Sequence, residues 1–191
     1  MTHHNNQTCQ LENGFDHMAD ALFLVLLILH IGAIVAWMGG AALFVSVIIP
    51  SLSKMSPSSR AEFIHSALPR YLRFITGSSI LAILAGLILY GYVTTQTEAA
   101  FFLTTPGLYY IEAGAAIGLV VLIIALGILV PAGRKFISLT KQPPTPEAQP
   151  STKDSLAAQV AALQKRMGIA GRLGVALLGI ALILMIIGAS I

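Results

Sequence analysis

Four long apolar runs separated by short polar stretches organise this chain. They cover residues 21–49, 74–93, 108–130 and 173–191. Crossing the hydrocarbon of a bilayer takes about 20 residues of helix, so each run is long enough. The runs are continuously apolar and do not alternate. That selects helices over a closed barrel, the two architectures that satisfy the backbone in lipid. The expected fold class is therefore all-α, an integral membrane bundle of four transmembrane helices. The first run exceeds what a bilayer needs and must tilt or project from it.

The polar stretches predict the remaining elements. Pro50 reads as the stop of the first span. Beyond it, Ser59 and Glu62 have capping-box spacing, and Phe63, Ile64, Ala67 and Leu68 share one helical face. This predicts a short amphipathic helix at the membrane interface, ended by Pro69, with Arg70 and Arg73 anchoring the second span. Pro131, Gly133, Arg134 and Lys135 open the next polar stretch. A Pro-rich linker over 140–151 follows. Ser151 and Asp154 restart a helix. Leu156, Val160, Leu163 and Met167 then form a stripe at helical spacing. The stripe predicts an extension of the fourth helix, packed on a neighbour in this chain or another.

Charge adds an orientation. All 11 Lys and Arg residues lie within 54–73 and 134–172. Short cytoplasmic loops collect Lys and Arg, so both basic stretches are expected inside the cell and both termini outside. Residues 1–20 then form a translocated polar tail, and 21–191 a single multi-pass domain of the cell membrane. The tail lacks the basic n-region of a secretory signal. The chain is 56% hydrophobic and 10% charged, against roughly 25% charged in soluble domains. Its net charge of +3 does not imply nucleic-acid binding, because the cations flank spans; the expected partners are the lipid bilayer and other membrane subunits or further copies of this chain. Gly114 and Gly118 in the third span have GxxxG spacing, Ala82 and Gly86 repeat it in the second, and Gly171, Gly174 and Gly179 mark the fourth.

Candidate chemistry centres on His30, roughly ten residues into the membrane from Asp20. An ionisable side chain at that depth defaults to a functional hypothesis. His30 reads either as a neutral residue hydrogen-bonded to a neighbouring helix or as a haem, copper or proton-relay group. The other spans contain no histidine, which excludes a bis-His haem within one subunit. Met185, at similar depth in the fourth span, is the alternative second ligand, and Glu112 is an alternative hydrogen-bond acceptor for His30. The tail adds His3, His4, Cys9, His17 and Met18, all copper-binding types. A histidine third from a free N-terminus holds Cu(II) through the amine and backbone amides, and His3 or His4 takes that place depending on removal of Met1. The plain alternative is a polar tail without a ligand. Asn6 begins a glycosylation sequon. One cysteine excludes an intrachain disulfide. No phosphate loop, nucleophile elbow, HExxH or paired carboxylate is present, so the chain is not expected to be catalytic alone.

Leu29-His30, Trp37-Met38-Gly39-Gly40, Phe44 and Pro50, followed by Arg70, Arg73-Phe74, Gly77 and Gly86, resemble the copper-resistance D (CopD-like) group of helical membrane proteins. The resemblance covers about the first half of the chain. It implies copper handling or haem-containing redox membranes, with copper or haem b as the cofactor and His30 as the functional residue. The chain departs from larger members in having four spans and no second intramembrane histidine, which argues against autonomous copper transport. The alternative is a non-catalytic accessory subunit of a membrane oxidoreductase, such as a respiratory oxidase or a copper membrane monooxygenase.

Overall fold

The computed structural model describes residues 3–95, 105–140 and 150–191; within helices, the side chains of 3–20, 53, 57, 105 and 150–154 fall outside the described set. The described residues form helices only: α1 (His3–Leu43), a π-helical turn (Phe44–Ile48), α2 (Ile49–Lys54), α3 (Pro57–Ser66), α4 (Leu68–Thr95), α5 (Thr105–Ile124), a second π-helical turn (Ala125–Leu129), α6 (Val130–Thr140) and α7 (Pro150–Ser190). Four stretches are long and apolar enough to cross a membrane: Ala21–Leu52, Ser58–Thr95, Pro106–Thr140 and Ser155–Ser190. The chain is a multi-pass helical membrane protein.

The bundle consists of two antiparallel hairpins. α1 packs chiefly on α4, and α5 on α7. In the first hairpin, Phe23 meets Tyr92 at one end, with ring centroids 6.1 Å apart. At the other end Phe44 lies nearly parallel to Tyr71 at 4.3 Å. In the second, a Cβ on Gly188 would lie 2.6 Å from the Gly107 carbonyl, and one on Gly174 would lie 3.5 Å from Val121. α1 and the π turn that follows it also meet α7, where Val45 of the turn sits over Gly171, and α5 meets α4, where Ile83 sits over Gly118. Each helix therefore runs antiparallel to both neighbours. The small residues picked out by spacing lie on these seams, apart from Gly179, where an added Cβ would meet nothing within 4 Å.

Pro50 and Pro131 do not end helices, contrary to the sequence reading. The helix continues from Pro50 to Lys54 and from Pro131 to Thr140. Each proline lies just after a π turn, in which Ile49 N–H donates to the Phe44 carbonyl and Val130 N–H to the Ala125 carbonyl. Proline in a helix removes one N–H and crowds the carbonyl four residues back. A π turn widens the backbone there and makes room for the ring. Both hairpins share this device.

The spans are 32 to 38 residues long, or about 48–57 Å at 1.5 Å per residue. The hydrocarbon core is about 30 Å thick, so the helices project. The projection is at the basic end, where a second core collects Phe44, Leu52, Ile64, Leu68, Phe136 and Met167. Ser56, not Ser59, caps α3: its hydroxyl accepts from Ser59 N–H at 3.3 Å, with Pro57 in the first turn. Pro69 opens α4 and does not close α3. Ile64 is 1% exposed, so α3 turns its apolar face into the bundle. Val160 and Leu163 pack on the same core as Met167, so the stripe on the extension of α7 finds its partner within this chain. The linker residues 141–149 and the loop residues 96–104 lie outside the described residues. The backbone of α1 is helical from His3 onward.

Candidate functional site: a histidine seated on a glycine

His30 projects from α1 onto α4. Its Nδ1 lies 2.8 Å from the Ala82 carbonyl oxygen. A carbonyl only accepts, so Nδ1 carries a proton, and in the neutral imidazole the lone pair is on Nε2. Within a helix the carbonyl of residue 82 is directed toward residue 86. A side chain at 86 would cover it. Gly86 has none, and a Cβ there would lie 2.6 Å from His30 Cε1 and 2.9 Å from Nδ1. The Ala82-xxx-Gly86 spacing is therefore the socket for the imidazole. Below it, Trp37 and Ala33 bury against Ile75 and Ala82, which fixes the rotation of α1 that aims His30 at α4. Among the described residues, Nε2 has no hydrogen-bond partner.

The other candidates lie elsewhere. Met185 is seated on Gly114, where a Cβ would be 2.9 Å from its Cγ. That is the α5–α7 seam, and His30 occupies the α1–α4 seam. Glu112 is not the acceptor for His30. Its Oε1 accepts from the Tyr90 hydroxyl at 2.6 Å, which ties α4 to α5. The side chains of His3, His4, Cys9, His17 and Met18 lie outside the described residues. Among the described residues, no three His, Cys, Asp or Glu side chains gather into a metal site. Among the described residues of the apolar runs, the imidazole nitrogen on offer to a metal or haem iron is therefore His30 Nε2.

Two further polar links were not visible in the sequence. His65 Nε2 donates to the Thr140 carbonyl at 3.1 Å, satisfying one of the carbonyls left open at the end of α6. The His65 Nδ1 atom is buried without a partner. Tyr90 and Glu112 are the second pair. Both links join residues far apart in sequence, and neither has a local spacing signature. The fold and this site define the class: a four-span helical membrane protein with one clamped intramembrane histidine. No protein-family model, curated protein or solved structure matches this chain.

Proposed function

We propose that this chain is a CopD-like accessory subunit of a copper- or haem-linked redox membrane, to which it contributes His30. The observation that carries this reading is the state of the imidazole. Its Nδ1 is held by the Ala82 carbonyl, which fixes tautomer and ring orientation as outer-shell hydrogen bonds do for ligating histidines. Its Nε2 remains available. A single donor with no companion ligand among the described residues supports a subunit whose site is completed by another chain, over an autonomous transporter. When bound, copper or haem iron would supply the redox chemistry; this chain would orient one ligand. By the distribution of Lys and Arg, the basic end with α2, α3, α6 and the start of α7 is cytoplasmic. α3 then lies at the cytoplasmic face, and both termini are extracytoplasmic.

The test is purification in mild detergent, followed by native mass and metal and haem analysis. Wild type is compared with His30→Gln and His30→Ala. Glutamine keeps a donor for the Ala82 carbonyl but is a poor ligand. The reading requires other subunits to co-purify with copper or haem, and both variants to lose the cofactor. If His30→Gln retains it, His30 is a helix clamp only. A lone, colourless, metal-free protein ends the copper and haem reading.

A further inference from the structure

We propose that the seam between α1 and α4 is a binding trench for one anionic phospholipid, with Arg73 as its phosphate ligand. The trench runs along the outer side of the first hairpin. Gly32 and Ala36 form its floor on α1, Gly77 and Ser78 on α4; Arg73 stands at one end and Leu81 at the other. The floor is open. A Cβ on Gly32 or Gly77 would meet nothing within 4 Å, so packing within this chain does not require glycine at either position. The separation from Arg73 to Leu81 is about 12 Å at 1.5 Å per residue, enough for the upper part of an acyl chain. Ser78 Oγ is already used by the Ile75 carbonyl at 3.1 Å, so the trench wall is apolar apart from Arg73.

Arg73 is exposed. Among the described residues it has neither an ion pair nor a hydrogen bond. It stands where the apolar run of α4 begins, the level of lipid headgroups. A guanidinium binds phosphate through two parallel hydrogen bonds, and an acyl chain fills an apolar trench without leaving polar groups unpaired. A second copy of this chain fits less well. Within the uninterrupted apolar runs 21–49, 74–93, 108–130 and 173–191 the one acid is Glu112, toward the opposite end, so a helix docked along the trench through such a run would cover Arg73 without neutralising it. Such a site needs only the bilayer and is independent of any cofactor at His30.

The experiment is native mass spectrometry of the full chain in detergent, titrated with phosphatidylglycerol, phosphatidylcholine or inorganic phosphate. Wild type is expected to hold one phosphatidylglycerol in preference to phosphatidylcholine, and inorganic phosphate should not displace it. Arg73→Gln should weaken retention about tenfold, as expected for a lost charged hydrogen-bond pair, and remove the preference. Arg70→Gln, three residues away and outside the trench, should leave both unchanged. Gly77→Leu and Gly32→Leu each fill the floor and should displace either lipid. The proposal is overturned if both lipids are held alike by wild type and Arg73→Gln, or if inorganic phosphate competes. It is equally overturned if the trench holds a second copy, read as a lipid-free dimer that Gly77→Leu dissolves.

Discussion

At the scale of single residues, this protein is governed by close approach. Between lipid-facing helices there is no hydrophobic driving force, so small residues and a few hydrogen bonds hold the seams. His30 on Gly86 is one such contact, and its hydrogen bond is worth roughly 0.6–2 kcal/mol in this environment. Gly188 is equally close and less forgiving. A Cβ there would meet the Gly107 backbone oxygen at 2.6 Å, and backbone cannot rotate away as a side chain can. Gly188→Ala should therefore cost about 1–3 kcal/mol, read as a lower melting temperature in detergent. Gly179→Ala meets nothing and should be neutral or stabilising by up to about 1 kcal/mol, through helix propensity alone. Equal effects of the two would mean that the α5–α7 seam is wrongly registered. Spacing picked out Gly179 and passed over Gly188; the difference between them exists only once α5 and α7 are docked.

At the scale of elements, the basic end carries a core of its own, built on the ends of the four spans. Its core buries Ile64 to 1% exposure, whereas Ile80 on α4 is 41% exposed toward the lipid side. Ile64→Ala should cost about 2–5 kcal/mol, because it leaves a cavity. Ile80→Ala should cost little, because detergent or lipid fills the space. A thermal melt that ranks them the other way would mean that α3 lies off the bundle on the membrane surface. The existence of α3 was legible from its apolar spacing. Its cap was displaced from Ser59 to Ser56 because Pro57 takes the first turn, and the residue before it becomes the cap. The two prolines misled in a consistent way. Proline stops an ordinary α-helix, but a π turn accommodates it, and the sequence carries no sign of that turn.

At the scale of the whole molecule, two hairpins with the same π-turn and proline device enclose one seam each, and only the first seats a histidine. The orientation in the membrane is open to a direct measurement. With the basic end cytoplasmic, a membrane-impermeant thiol reagent should label Cys9, the sole cysteine, in intact cells. Labelling only after the cells are opened would invert the topology, and with it the side from which His30 is approached. What the sequence determined by itself was the class and the number of spans. Long uncharged runs have one stable solution in lipid, a helix with its backbone bonds internal. It also drew attention to His30, because a lone ionisable residue stands out against the apolar neighbours of its run. What only the tertiary structure decided was the partnership of each group: His30 with the Ala82 carbonyl, Glu112 with Tyr90 and Met185 with Gly114. Which faces of two helices meet depends on their rotation and register. Those are set by many small contacts summed along the seam, and no single residue encodes them.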